Sequence, residues 1–565
     1  MAQTLSGSLV NSGRGRQYLN WEDSGPTGYP EIIPATETTD EQPFSKSEYS
    51  GYLPRIRTHL LVLLLFQTIQ KSEIIMKAYS LLSILLICFT QTACDIKLPE
   101  QVQARDVQLF PDYESVTIPV NIAPLNFRLP AADMEGITLL KSPNKELKVK
   151  ADKGVFNIPV SDWKDLLHDA KGKEIQASIF FKEETNGWKR KDFPIYISAD
   201  SIDSYLTYRR IFPGYRMWNE MGIYQRCVEN FVEKPVLTNQ YTNNSCMNCH
   251  SFCQQNGEKW LFHQRAYYNG TYLVENDQIK KITLEKDGQA SAFVYPYWHP
   301  SGKYVVFSTN ETHQDFHYAD PNRIEVYDES SDIVIYDLEK ERAYSVPWLA
   351  SSKHFETFPT FTPDGKSLIY CSADSVTMPD QYRNVKYNLL KVSFQPETGE
   401  IGNQIDTLYN ARKEGRSIKF PRVSPDGKYL LYTISDYGNF SIWHKDADLR
   451  LLHLDTFETD SLTTINSSDV ESYHSWSSSG HWIVFSSRRL DGLFTRPFIA
   501  HIDAAGKVSK PFLLPQQSPD YYGNSLFSFN IPELSQTPIR MSQKELVHAS
   551  KETEAQVIKL VYTQD

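Results

Sequence analysis

Phe420-Pro-Arg-Val-Ser-Pro-Asp-Gly-Lys-Tyr-Leu-Leu-Tyr-Thr433 reads as a strand, a tight Pro-Asp-Gly turn and a second, continuously apolar strand. The phrase recurs as Tyr295-Pro-Tyr-Trp-His-Pro-Ser-Gly-Lys-Tyr-Val-Val-Phe-Ser308, as Phe358-Pro-Thr-Phe-Thr-Pro-Asp-Gly-Lys-Ser-Leu-Ile-Tyr-Cys371 and as Tyr473-His-Ser-Trp-Ser-Ser-Ser-Gly-His-Trp-Ile-Val-Phe-Ser486. Gly302, Gly365, Gly427 and Gly480 mark a period of roughly 50–60 residues, the length of a four-stranded propeller blade with one long loop. A second phrase follows each hairpin at a similar offset: residues 332–337, 387–392, 448–455 and 497–503. Together the two phrases predict a β-propeller of five to seven blades, six being the expected number. A degenerate unit is expected to begin at Trp260-Leu-Phe-His263 and run through Tyr272-Leu-Val274, with residues 526–531 or 557–562 closing the ring.

Upstream, Asn244-Ser-Cys-Met-Asn-Cys-His-Ser251 carries C-x-x-C-H. That spacing is dictated by covalent haem attachment: Cys246 and Cys249 would form thioethers to the two vinyl groups, and His250 would be the proximal iron ligand. Met217, Met221, His263 and His299 are candidates for the second axial position, with Met221 and His263 the leading pair. Two other readings stay open. Cys246, Cys249, His250 and Cys253, with Cys227 as a substitute, are types that bind zinc, although adjacent Cys249 and His250 are hard to point at one tetrahedral ion. A Cys227–Cys253 disulfide is the other.

Thioether attachment needs export, and Met76-Lys-Ala-Tyr-Ser-Leu-Leu-Ser-Ile-Leu-Leu-Ile-Cys-Phe-Thr-Gln-Thr-Ala-Cys94 has the parts of a lipoprotein signal: a basic start, a short apolar run and small residues before a cysteine. The run is too short to span a bilayer. Lipidation of Cys94 is therefore expected, with plain secretion and a retained anchor as alternatives. Gln91 stands where such signals usually carry Leu. A signal does not act from inside a chain, so residues 1–75 read as an extension of the gene model or a disordered arm.

Four regions are expected after the signal. Residues 98–205 alternate apolar and polar residues in seven short runs between turn residues, which predicts a β-sandwich of immunoglobulin-like packing. Residues 206–259 form a linker of helical tendency that ends in the C-x-x-C-H segment. The propeller takes 260–540, and 541–565 form a tail that is a candidate ring-closing strand. The fold class is thus all-β, with a short, partly helical haem-motif segment between sandwich and propeller. Aromatics make up 13% of the chain and Pro outnumbers Gly by 31 to 26, in keeping with β structure and many turns. Net charge is −11 with no basic block, which excludes nucleic acid and anionic lipid as implied partners.

The hairpin unit, best preserved at 358–371 and 420–433, resembles the WD-like repeats of TolB-type β-propellers over residues 260–515. With the signal and the C-x-x-C-H segment, the chain is similar to Bacteroidetes envelope proteins labelled TolB-like or cytochrome-related. The resemblance is specific for fold and implies little about activity. No G-x-S-x-G elbow is present, and the roughly 50 residues after the last repeat are too few for the hydrolase domain of prolyl-oligopeptidase-type enzymes. His299, His317, His444 and His474, with Asp320, Asp446, Arg488, Arg489 and Asp491, are expected to gather near one mouth, either as solvated loop residues or as a ligand site.

The expected role is haem-dependent electron transfer or redox sensing in the cell envelope, on its periplasmic or outer-membrane face. The propeller would be the docking surface for an envelope protein or redox partner, and a lipid anchor would hold the protein at the membrane. The alternative is a non-redox scaffold or ligand-binding propeller whose cysteines bind zinc or form a disulfide. The role is expected to be non-catalytic; catalysis, if any, would be haem-dependent oxidoreduction.

Overall fold

The apolar run Tyr429–Ser435 is buried at every residue, because this strand lies between neighbouring sheets and has no solvent face. A run apolar on both faces is what a strand covered on both sides requires. In the turn before it, Gly427 takes φ +74°, and the Asp426 carboxylate accepts from Lys428 N at 3.1 Å. Side chain and glycine together fix the hairpin register. In the computed structural model, which describes residues 96–183, 187–212 and 220–563, this hairpin begins one of six blades set around an axis, each built on a run of four antiparallel strands. The expected signal at 76–94 with Cys94, residues 1–75 and Met217 lie outside the described residues.

Blade 1 is Cys246–Cys253, Asn256–Arg265, Gly270–Glu275 and Gln278–Lys286; blade 2 is Val294–Trp298, Tyr304–Phe316, Ile324–Asp337 and Arg342–Ser345. Blade 3 opens with His354–Phe361 and Ser367–Asp374, blade 4 with Ser417–Val423 and Tyr429–Ser435, and blade 5 with Glu471–Trp476 and Trp482–Ser487. The second repeated phrase is the third strand in each case: Ile324–Asp337, Asn388–Gln395, Asp448–His453 and Arg496–His501. Blade 6 joins the two ends of the chain. Ser528–Ser535 is its innermost strand and pairs with Tyr205–Ile211, which is followed outward by Met221–Cys227 and Glu233–Thr238. Ser528–Ser535 touches the inner strands of blades 5 and 1, so the ring is closed. Gln556–Tyr562 runs parallel to the outer strands of blades 1 and 2 and ties their edges together.

Two sequence expectations are corrected here. The described residues of 206–259 are mainly strands rather than a partly helical linker: apart from a 3-10 turn at Asn239–Tyr241, they contain the outer strands of blade 6 and the inner strand of blade 1. A propeller boundary at residue 260 would fall inside Asn256–Arg265. The helical reading failed because Gln225 and Arg226 are buried polar residues that break the apolar alternation of their strand. Arg226 Nη2 donates there to the carbonyls of Asn230 and Pro515.

All six inner strands share one irregularity. Cys249, Tyr295, Phe358, Phe420, Tyr473 and Ile531 have φ between 48° and 53°, and each sits at a register shift between the first and second strand of its blade. Bulky residues rarely adopt this conformation. Here the bulge sends one side chain per blade inward. Rings of Tyr295 and Phe358 lie 4.3 Å apart, Phe358 and Phe420 4.1 Å, and Phe420 and Tyr473 5.0 Å. The axis is thus plugged by side chains.

The N-terminal module is a six-stranded sheet in which Gly187–Ile197 pairs with Glu174–Glu183, and that strand with Gly136–Lys141. Its packing is lopsided compared with the immunoglobulin-like expectation. A two-stranded ribbon, Phe127–Arg128 with Val155–Phe156, and the helix Val160–Asp169 stand where a second sheet would be. The helix buries Trp163, Leu166 and Leu167, spaced at one helical face. The module shares one apolar cluster with blades 4, 5 and 6, reinforced by Arg128–Asp520 at 2.6 Å and Ser478 N to Asp203 at 2.8 Å.

Phe358 is stacked on both sides within the plug. Phe358→Ala is expected to cost about 3–5 kcal/mol of stability, read as a lower urea midpoint with an unchanged slope.

Candidate functional site

In every blade the residue after the axial position is Pro or His, the next faces the axial channel, and the third is a large apolar residue of the core. Tyr473-His-Ser-Trp476 in blade 5 and Cys249-His-Ser-Phe252 in blade 1 are two copies of this phrase, and Ile531-Pro-Glu-Leu534 is another. The C-x-x-C-H segment is therefore built into the repeat: Cys249 stands where other blades place an aromatic, and His250 where they place Pro296, Pro359, Pro421, His474 and Pro532.

On the face of the Pro-Asp-Gly turns, the axis opens into a cavity of about 220 Å³. Its floor includes Cys249, Tyr295, Phe420, Tyr473 and Ile531. Around it stand Ser251, Tyr297, Arg422, Ser475 and Glu533, which are the channel-facing positions of five blades, with His250 and His474 beside them. Among the described lining residues Arg422 is the only Lys or Arg. Its guanidinium lies 5.1 Å from the Tyr297 ring centroid and donates to Pro421 O at 2.8 Å.

Burial lowers the Arg422 pKa, yet a guanidinium remains a cation at physiological pH. Burial pushes Glu533 up to about 8, opposed by the Phe252 N–H and by Arg422. Phe252 N donates to Glu533 Oε1 at 3.0 Å. Burial takes His474 down to about 3, with Arg422 adding to the effect. Its Nε2 lies 3.0 Å from Leu431 O and is the donor of that bond, leaving Nδ1 as an acceptor. His250 is likewise pushed down to about 3 by burial and by Arg209, and neither of its ring nitrogens makes a hydrogen bond of standard geometry. At neutral pH the cavity thus offers one cation, a protonated carboxyl and two neutral imidazoles over an aromatic floor.

The predicted haem residues are brought close together but do not form a haem pocket. Cys246, Cys249 and His250 lie on one strand paired with Asn256–Arg265, and burial raises both thiols, which keeps them protonated. Cys246 does not line the cavity, whose volume is below the roughly 300–1,000 Å³ of ordinary small-molecule sites. A macrocycle joined to both sulfurs does not fit while this strand stays in its ladder.

Met221 and His299 are engaged elsewhere, whereas the buried Nε2 of His263 has no hydrogen-bond partner. Met221 begins a blade 6 strand and its sulfur accepts from Met247 N at 3.4 Å. His263 pairs through Nδ1 with Thr271 Oγ1 at 2.8 Å. His299 bonds Ser301 Oγ at 2.8 Å and Gly365 O at 3.0 Å, bridging blades 2 and 3.

No three of the donor atoms of Cys246, Cys249, His250, Cys253 and Cys227 lie within 4.8 Å of one another. Cys227, Cys246, Cys249, Cys253 and Cys371 are all free thiols, so Cys227 and Cys253 form no disulfide. They belong to different blades. Cys227 ends a middle strand of blade 6 and Cys253 ends the inner strand of blade 1.

Of the residues expected at one mouth, His474 lines the axial cavity. His444 and Asp320 belong to the opposite face, where the hairpin of Tyr304–Phe316 and Ile324–Asp337 reaches over the ring. Glu325 accepts from Tyr437 Oη at 2.5 Å and lies 3.1 Å from His444 Nε2. Asp320 is paired with Arg383. Arg488 stacks over Trp443 at 4.0 Å and Arg489 pairs with Glu471 at 3.0 Å. Arg422 and Glu533 escaped sequence reading because they occupy a repeat position that varies freely from blade to blade; the H-S phrase shared by 249–252 and 473–476 was the available clue.

No protein-family model and no curated protein matches the chain. Similar solved structures include the protein described as TolB from Agrobacterium tumefaciens, with 15% identity, 59% of this chain and 99% of that chain covered, and a TM-score of 0.31. Dipeptidyl peptidase 4 of Porphyromonas gingivalis shares 13% identity over 60% of this chain and 51% of its own, with a TM-score of 0.28. The Cps50 (Swd1) β-propeller domain of Myceliophteria thermophila shares 12% over 48% and 86%, with a TM-score of 0.26. The propeller itself rests on the strand pairing described above.

A carboxyl whose folded pKa lies above its unfolded value weakens the fold as pH rises between the two. For Glu533 the window runs from the ordinary value of 4.5 to about 8. Glu533→Gln is expected to be more stable than the parent at pH 9 and to lose that advantage at pH 5, as measured by urea midpoints.

Proposed function

We propose that the protein is an exported, lipid-anchored, TolB-like propeller of the cell envelope that binds a small amphiphilic anion in its axial cavity. The observation that carries this reading is the lining: one half-buried cation, Arg422, beside a carboxyl that stays protonated at neutral pH, above a floor of aromatic side chains. A carboxylate head would pair with the Arg422 guanidinium, a charge-assisted contact strengthened by low solvent access. Protonated Glu533 would donate to the same head, and an apolar or aromatic body would rest on Tyr295, Phe420 and Tyr473. A peptide C-terminus presented by an envelope protein has this chemistry and suits the size of the cavity. Export and lipidation at Cys94 rest on the sequence of residues 76–94.

The test is calorimetric titration of the mature protein with a short peptide ending in Phe and with its C-terminal amide. Binding of the free acid alone is expected, with affinity falling by about tenfold or more in Arg422→Ala, since loss of a charged hydrogen bond costs roughly 1.5–3 kcal/mol. Affinity is also expected to fall as pH rises through 8, where Glu533 ionises and repels the head. Equal binding of acid and amide would refute the anion site.

Covalent haem at Cys246 and Cys249 is the second reading, favoured by the two unpartnered ring nitrogens of His250. It requires the inner strand of blade 1 to leave its ladder. Intact mass and a pyridine haemochrome spectrum of protein expressed from Met76, in a strain that matures cytochromes, decide between the two. The expected product is colourless and carries only the lipid on Cys94. A mass increase of one haem with a c-type absorption band would reverse the assignment, and an unlipidated mass would remove the anchor.

A further inference from the structure

Where the N-terminal module meets blade 5, Asp200, His481 and His501 bring one donor atom each to within 4.8 Å of one another. Asp200 follows the long strand Gly187–Ile197, His481 lies in the turn between the first two strands of blade 5, and His501 ends its third strand. All three side chains are half-buried. His501 Nε2 is 3.8 Å from Asp200 Oδ2, and Ser198 Oγ lies 3.3 Å from both. The two imidazoles are stacked, with centroids 6.2 Å apart.

We propose that Asp200, His481 and His501 form a zinc site that pins the N-terminal module to the propeller. Two imidazoles and one carboxylate are a donor set that zinc accepts, and tetrahedral coordination places donors about 3.4 Å apart. The 3.8 Å separation of His501 and Asp200 is therefore nearly closed before a metal arrives. His481 carries the supporting contact expected of a metal-bound imidazole: its Nδ1 faces Ile502 O at 3.4 Å, which leaves Nε2 for the ion. Three protein ligands leave a fourth position. His501 also borders a cleft of about 370 Å³ lined by Thr117, Lys173, Glu174 and Tyr196, so that position has access to solvent and to an exchangeable fourth ligand. The site shares no residue with the axial cavity and stands or falls separately from the anion reading.

The test uses the mature protein stripped with chelator, dialysed against zinc, and analysed for bound metal and thermal midpoint. One zinc per chain and a raised midpoint are expected, both lost in His481→Ala and in Asp200→Asn, with circular dichroism confirming that the variants fold. Cobalt substitution is expected to give the intense visible bands of a four-coordinate site in the parent only. No stoichiometric zinc, or zinc retained unchanged in both variants, would overturn the proposal. Zinc bound with parent stoichiometry but no shift in midpoint would overturn its role as a pin.

Discussion

Six backbone bulges on six inner strands set the interior of this molecule. Each holds a residue at φ near +50° that its own side chain disfavours, and the cost is offset because the side chain it turns inward packs against those of neighbouring blades. Tyr295, Phe358, Phe420 and Tyr473 make a continuous series of ring contacts. Ile531 packs against this series from Ser528–Ser535, the strand that closes the ring by pairing with Tyr205–Ile211. Folding of the inner strands and joining of the chain ends are therefore one problem. Pairing at a sequence separation above 300 residues also makes that closure entropically demanding.

The same geometry accounts for the residues that draw the eye in the sequence. In blade 1 a cysteine replaces the axial aromatic and a histidine replaces the proline, and the strand remains in its ladder. Burial then makes the thiols poor nucleophiles and the imidazole a poor base. The segment whose spacing matches haem attachment also occupies the inner-strand position of a propeller repeat. The chemistry of the channel instead comes from the position two residues after the bulge, where the six blades differ most.

The two faces of the ring are unlike. The turn face is open to the axial cavity, whereas the other is covered by the blade 2 hairpin. There Asp328, pushed up to about 7 by burial, accepts from Asn310 Nδ2 at 2.7 Å and from Asn439. Buried carboxyls on both faces, with Glu356 at about 8 in addition, hold their protons to well above the usual carboxylate range. Their neutrality lets polar groups sit near an apolar axis without the cost of an unpaired charge.

The sequence by itself determined the repeat, its strand–turn–strand form and the expected count of six, because each Pro-Asp-Gly hairpin is coded by residues adjacent in the chain. It also offered 526–531 as one of two closing segments. Tertiary structure alone decided that Tyr205–Ile211, Met221–Cys227 and Glu233–Thr238 belong to a blade, since strands buried on both faces, with Gln225 and Arg226 held by distant partners, lose the alternation that marks a strand. The helix Val160–Asp169 was legible in the spacing of Trp163, Leu166 and Leu167, but it was masked by the β-rich sequence around it. The meeting of Arg422 with Glu533, and of Asp200 with His481 and His501, has no local signature. Each of those residues is ordinary where it stands in the chain, and only closure of the ring and docking of the N-terminal module bring them together.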